Sequence, residues 1–462
     1  MVAFGMGAAI ILLAFVLLGT LSGRGIRSVA DYALAGRSAG TLEVSGILLG
    51  ALVGGASTVG TVEMAYRWGL SAWWFTLGGG IGCLILGLWF ARPLRRTGLT
   101  TIPEFLAREY GRKTGIVALA ASTLGTFVSV VAQFLAGLAM IQGIWPIPDT
   151  VAAGVVSLAV LGFILLGGLK SYGVLGKAKI AFLYFVLAVC AAVTAMEGRN
   201  LPPLWNALPF HPWFNLFGRG VGVDLNAGLS LLVGVMTTQI YIQAVFSASS
   251  EETARKGALL SAVLMPPLGL FAIWVGLGMR IRQPGLVASQ VLPKFLAQHF
   301  PPFVAGVLWS GIAITIIGTA AGLCLGIATN LVRDLPSALR RKEAGEKDRL
   351  LTSRLALLAL VFLSAFLALL APGSLILSWS YLSMGLRGAG TFLPFSIALL
   401  APGRLSARWA FLSSLAGLVL TLSWPLTRLP GNPLFSGLLV SALCCLLGWK
   451  RKGTACGGPS PD

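Results

Sequence analysis

Residues 45–69 read SGILLGALVGGASTVGTVEMAYRWG, an apolar run long enough to cross a bilayer. It is interleaved with Gly46, Gly50, Gly54, Gly55 and Gly60 and with the hydroxyls of Ser57, Thr58 and Thr61. Glycine loses more backbone freedom in a helix than any other residue, so a Gly-rich, hydroxyl-rich helix interior is poorly held. Two readings follow. A break near the midplane would free carbonyls and hydroxyls to line a polar site, which hydrocarbon tolerates where the irregular backbone is buried in protein. An unbroken helix would use the same small residues for close packing against its neighbours. Glycine is frequent throughout the chain, with 59 residues, so its clustering with hydroxyls is what singles out this run.

The run belongs to a chain of 462 residues that is 56% apolar and 11% charged, whereas a soluble domain carries roughly 25% charged residues. The natural unit is therefore the membrane span. The apolar runs predict an all-α integral membrane protein with about 13 transmembrane helices. Their approximate limits are 2–21, 41–66, 70–91, 115–143, 150–169, 178–197, 228–248, 257–279, 302–330, 352–371, 374–400, 407–427 and 433–449. The first run lacks a basic segment before it and reads as a retained helix rather than a cleaved signal. Cys83, Cys190, Cys324, Cys444 and Cys445 lie in apolar runs and Cys456 in the tail, without C-x-x-C spacing, which suits free thiols. His211 and His299 stand apart and suggest no metal cluster.

Thirty-four Lys and Arg against fifteen Asp and Glu leave a net charge of +19. A nucleic-acid binder would gather such charge on one face of a soluble fold; here it is scattered between apolar blocks. Alternate connections collect 26 Lys and Arg, from Arg24 and Arg27 through Lys170, Lys177 and Lys179 to Arg333–Arg354 and Lys450–Lys452. The opposite set holds seven: Arg67, Arg199, Arg219, Arg280, Arg282, Lys294 and Arg428. The positive-inside rule then predicts the N-terminus outside and the C-terminus in the cytoplasm of the plasma (inner) membrane. The longest outer connection, 197–227, contains PPLWNALPFHPWF and suits an interfacial or lid segment.

Further polar groups fall inside apolar runs. WSGIAITIIGTAAGLCLGIATNLVRD (309–334) carries Thr315, Gly318 and Thr319 at mid-span. Each threonine can bond back to its own helix, or two hydroxyls one turn apart can supply hard oxygens to a cation. Arg387 lies thirteen residues from both Ser374 and Leu400. A charge at that depth is functional by default, and arginine suits a carboxylate bidentately; snorkelling or carbonyl binding is the alternative. Glu63 reads as an interfacial residue, a gate partner of Arg387 or a proton site. Trp73, Trp74, Trp205 and Trp213 suit an interfacial belt or lid.

Several ordered motifs resemble the sodium:solute symporter family over about residues 30–400: ALAGRSAG (33–40), GASTVGTVEMAYRWG (55–69), RRTGLTTIPEFLAREYG (95–111), QIYIQAVFSASSEETARKGAL (239–259) and GTAAGLCLGIATNLVRDL (318–335). The resemblance implies a leucine-transporter-type fold, a five-plus-five inverted repeat core with broken second and seventh helices. It divides the chain into a first helix and connection (1–40), a first repeat (41–200), an outer loop (201–227), a second repeat (228–404) and two extra helices with a tail (405–462). The family's sodium site, carried over by motif, falls on the carbonyls of Gly50 and Val53 and on Thr315 and Thr319. The family's Ser-Thr pair is Gly318-Thr319 here, so one hydroxyl is missing.

The positions that bind sugar in sugar-carrying members are Ser57, Thr238 and Ile240, a poor match to a polyhydroxyl solute. Ser57, Thr58, Gln133, Thr237, Thr238, Gln239 and Arg387 are the substrate-binding candidates. The resulting expectation is sodium-coupled symport of a small organic solute, carboxylate or amino-acid-like rather than sugar, with sodium as coupling ion, no cofactor and no nucleic-acid partner. Proton-coupled symport and a transporter-like membrane sensor are the alternatives. Nothing suggests an enzyme: no Ser/His/Asp or paired-carboxylate grouping appears.

Overall fold

A computed structural model describes residues 1–23, 37–165, 169–197, 204–331, 346–427 and 433–450. Helix α1 spans Val2–Gly23, α2 Thr41–Leu52 and α3 Thr61–Trp68, with a π-helical turn at Ala56–Gly60 before α3. A tight turn at Gly69 (φ +61°) leads into α4 (Trp74–Ile85), continued through a second π turn into α5 (Ala91–Arg96). Then come α6 (Ile102–Tyr110), α7 (Arg112–Gln142), α8 (Asp149–Leu165) and α9 (Leu169–Glu197). Two short helices, α10 (Leu204–Ala207) and α11 (Phe210–Trp213), precede α12 (Val221–Thr237) and α13 (Gln239–Ser247). The rest are α14 (Glu251–Arg282), α15 (Val291–His299), α16 (Pro302–Thr329), α17 (Glu346–Leu370), α18 (Ile376–Leu400), α19 (Ala407–Thr427) and α20 (Pro433–Leu447).

Local sequence explains several of these boundaries. Thr101 caps α6 by accepting the Glu104 N–H at 3.1 Å, with Pro103 in the first turn where a missing N–H costs nothing. Ser250 does the same for α14 through the Thr253 N–H. Every apolar run expected to span contains helix. Among the described residues, seven helices are long and apolar enough to cross a membrane, or eight if the bent pair Val221–Thr237 and Gln239–Ser247 is one span. Four shorter apolar helices of 10–17 residues make up part of the difference from about 13: α2, α8, the stretch Arg354–Leu370 of α17, and α20. The expected loop 333–354 and the tail beyond Lys450 lie largely outside the described residues.

Two helices are interrupted in mid-course. α2 stops where Val53 turns extended (φ −92°, ψ 102°), and Gly54 and Gly55 pass before helical turns resume. α12 stops where Thr238 turns extended (φ −87°, ψ 119°), and α13 leaves at an angle of 47°. The packing around the two is reciprocal. The α2–α3 pair lies against α9 and α14, and the α12–α13 pair against α18 and α4, while α7 and α16 meet at the centre. This inverted-repeat-like arrangement makes the chain an all-α, multi-pass membrane protein whose two interruptions sit back to back.

At one end the two interrupted helices are tied by backbone. The Ala39 N–H donates to Ser247 O and the Ser249 N–H to Ala39 O, both at 3.0 Å, and Arg95 Nε reaches Ala248 O at 2.7 Å. Outside this core, α1 crosses α16 at very close range, where an added Cβ on Gly306 would stand 2.1 Å from Phe4 O. Overpacking of this kind costs about 1–3 kcal/mol. Gly306→Val is therefore expected to lower the thermal unfolding midpoint of the detergent-solubilised protein, and an unchanged midpoint would contradict this helix crossing.

Candidate functional site

The site grows out of the break in α2–α3. Leaving the helix at Val53 orphans carbonyls above and N–H groups below, and each must find a partner in a dry interior. The Gly54 N–H donates to Ser57 Oγ at 2.9 Å, and Ser57 and Thr58 hydroxyls donate back to Gly54 O at 3.0 and 2.8 Å. The Gly55 N–H donates to Gln133 Oε1 of α7 at 2.7 Å. Glycine is required here: a Cβ on Gly54 would stand 2.5 Å from Gln133 Oε1 and 2.7 Å from Thr319 Oγ1. Thus Ser57, Thr58 and Gln133, singled out as solute ligands, do converge at the break, and in this conformation they satisfy its backbone.

On the other side of the break, Thr319 of α16 reaches the freed carbonyls. Its hydroxyl lies 3.1 Å from Gly50 O and 3.0 Å from Val53 O. With one proton, the hydroxyl donates to one of these at a time and keeps lone pairs for a cation. Three neutral oxygens so gathered suit a monovalent ion, which needs no buried carboxylate. Thr315 contributes differently, its hydroxyl donating to Gly311 O of its own helix at 2.7 Å. A fourth group enters that the sequence reading had placed in a cytoplasmic connection. Lys179 of α9 is buried, and its Nζ donates to Gly50 O at 2.5 Å and to Thr319 Oγ1 at 2.7 Å. The reading of Lys179 as a loop charge is therefore corrected: its side chain ends inside the bundle.

The second interruption is more self-contained. Thr237 and Thr238 donate to Val233 O and Gly234 O one turn back, at 2.9 and 2.6 Å. Gln239 turns away from the break, its amide donating to Thr100 O and accepting from the Ile102 N–H. Tyr241 of α13 points its hydroxyl toward Ala51 O at 3.5 Å, which brings the two interrupted pairs next to each other. Arg387 is wholly buried on α18 against α7, donating to Thr126 Oγ1 at 3.1 Å and, more loosely, to Ser129 Oγ at 3.5 Å. Its Nε has no hydrogen-bond partner and, among the described residues, it has no ion pair.

Glu63 does not pair with Arg387. One carboxylate oxygen accepts the Ile376 N–H at 3.1 Å in the first turn of α18, where the helix dipole favours an anion, and the other lies 3.9 Å from Arg67. Nearby, the Tyr66 hydroxyl donates to Gln283 O and accepts the Leu286 N–H, and Arg280 lies over the rings of Tyr66 and Trp213. Trp213 is buried against Gly69, which suits a closed lid better than a belt. The side chain of Trp205 lies outside the described residues.

Residues 32–196 and 220–417 match the Sodium:solute symporter family. The chain belongs to that family. Its relatives include the high-affinity proline transporter PutP of Bacillus subtilis, 26% identical over 76% of this chain and 78% of the relative. The high-affinity choline transporter 1 of Drosophila melanogaster is 24% identical over 75% of this chain, which spans 58% of that protein's length. Among solved structures, the substrate-bound outward-open state of a Na+-coupled sialic acid symporter superposes with a TM-score of 0.82 at 14% identity, covering 96% of both chains. The likeness in structure shows a shared fold, and the family is one of transporters rather than enzymes.

Against the family pattern, Lys179 is the residue that sequence reasoning missed. The signal was present in GKAKIAF (176–182). Two lysines two positions apart on a helix point about 200° from each other. Lys177 goes outward to Glu43 at 3.7 Å, so Lys179 must go inward. The Gln133 contact offers a direct check on the break. Gln133→Leu leaves the Gly55 N–H buried and unpaired, at a cost of about 1–3 kcal/mol. The expected result is a lower unfolding midpoint; no change would show that Gly55 does not depend on Gln133.

Proposed function

We propose that the chain is a secondary active symporter that couples entry of a sodium ion to uptake of a small organic solute by alternating access. The observation that carries this is the pairing of two interrupted helices back to back, with freed carbonyls and the Thr319 hydroxyl gathered at one break. Such irregular backbone is tolerated at membrane depth where it lines a binding site. In this reading the α2–α3 and α12–α13 pairs are the broken second and seventh of about 13 spans. Residues 41–200 and 228–404 are then the two repeats, and 1–40, 201–227 and 405–462 are additions to the core. The N-terminus faces outward and the C-terminus the cytoplasm of the cell membrane, as the distribution of Lys and Arg favours.

Sodium entry would use Gly50, Val53 and Thr319, with Thr315 one turn before. Proteins similar to this chain include transporters of proline, of choline, of glucose and of monocarboxylic acids. For this chain a carboxylate or amino-acid-like solute is favoured. Among the described residues Arg387 is a buried guanidinium without an anion, flanked by the hydroxyls of Thr126 and Ser129, and guanidinium binds carboxylate in a bidentate fork. Ser57, Thr58, Gln133, Thr237 and Thr238 would exchange backbone partners for solute as the breaks open.

Uptake of a labelled carboxylate and amino-acid panel into proteoliposomes, with a sodium, proton or no gradient, tests the reading. Accumulation is expected with inward sodium. Accumulation that ignores sodium and follows pH would replace it with proton coupling. A hydrogen bond to a charged group is worth about 1.5–3 kcal/mol. Arg387→Gln should therefore weaken a carboxylate solute by about tenfold or more relative to a neutral analogue. Equal loss for both would make Arg387 a structural residue.

A further inference from the structure

We infer that the Lys179 ammonium is a tethered cation that occupies the site between α2 and α16, and that a sodium ion enters there only when this ammonium is displaced. The inference deepens the proposed reading of the site and rests on it for the identity of the competing ion. Nζ sits 2.5 Å from Gly50 O and 2.7 Å from Thr319 Oγ1, the oxygens that would hold the metal. It therefore takes the coordination, and the single positive charge, for which the site is built. Two unit charges a few ångströms apart repel by about 4 kcal/mol at 4 Å even with an effective dielectric of 20, so they cannot share it.

The charged groups of the packed helices are engaged elsewhere, which leaves Lys179 to neutral oxygens alone. α2 brings Glu43, which faces Lys177. α14 brings Glu251, Glu252, Arg255 and Lys256 at one end, where Glu251 and Glu252 pair with Arg96 and Arg92, and Arg280 and Arg282 at the other. Glu197, at the far end of α9, pairs with Arg282 and His299. α1 and α16 carry no Asp, Glu, Lys or Arg. Among the described residues, no carboxylate therefore pairs with Lys179. Its packing also matches the chain's departure from the family motif. The serine of the Ser-Thr pair is Gly318 here, and a Cβ at Gly318 would stand 3.8 Å from Lys179 Cδ. The position that lost an oxygen ligand is the one the lysine stem passes.

Binding of radioactive sodium to the purified protein in nanodiscs tests the inference without reference to any solute. Removing the charge with Lys179→Met should raise sodium affinity by about tenfold or more. Adding Thr319→Val should abolish the gain, and adding Gly318→Ser should enlarge it. Unchanged or weaker sodium binding by well-folded Lys179→Met would overturn the inference. Should that variant not fold, hydrogen exchange of residues 50–60 in the unaltered protein decides. Protection should be the same in sodium and in N-methylglucamine, because the ammonium holds the break closed. Loss of protection on removing sodium would overturn it. Failure of sodium-driven uptake alongside a gain in Lys179→Met would remove sodium coupling and leave the inference standing.

Discussion

The structure depends on how one interrupted helix satisfies its freed backbone. In lipid an unpaired carbonyl or amide costs several kcal/mol, so the break at Val53–Gly55 exists because neighbours supply partners from both sides. Gln133 and Ser57 take the amides. Thr319 and Lys179 take the carbonyls. α7 and α16, which carry Gln133 and Thr319, are also the helices that meet at the centre of the bundle. The stability of the core and the chemistry of the site are thus the same set of hydrogen bonds.

That coupling suits a transporter. Partners that hold the break are polar, short-ranged and exchangeable, so an arriving ion or solute can replace them at little net cost, whereas apolar packing would not yield to it. The reciprocal arrangement of α2–α3 against α9 and α14, and of α12–α13 against α18 and α4, gives each of the two interrupted pairs a similar setting. At one end the ties are backbone bridges between Ala39 and Ser247–Ser249; elsewhere they are Tyr66, Arg280 and Trp213. Such contacts are few and polar, which is what closing surfaces require.

Much of this was legible in the sequence. The cluster of Gly54, Gly55, Ser57 and Thr58 fitted a break or close packing equally, since packed helix faces also use small hydroxyl residues; the ordered motifs gave the family, and with it the expectation of a break. Thr319 was reached through the resemblance of residues 318–335 to the family motif. Gln239 was not, since its partners Thr100 and Ile102 lie about 140 residues away on a segment whose approach depends on tertiary packing. The partner of Glu63 was hidden for the same reason: it is the Ile376 amide at the start of another helix, not Arg387. Lys179 escaped because counting basic residues by side assigns every lysine near a span end to water. On a helix the next-but-one residue faces the opposite way.

The central claim is that a cation site lies at this break and that Lys179 reaches it. The most direct measurement is a cryo-electron microscopy structure in nanodiscs, determined once without sodium and once with saturating sodium. The account predicts Lys179 Nζ between Gly50 O and Thr319 Oγ1 without sodium, and its withdrawal as metal density appears among Gly50, Val53 and Thr319. Lys179 directed into solvent in both maps, or a continuous helix through Val53–Gly55, would contradict it.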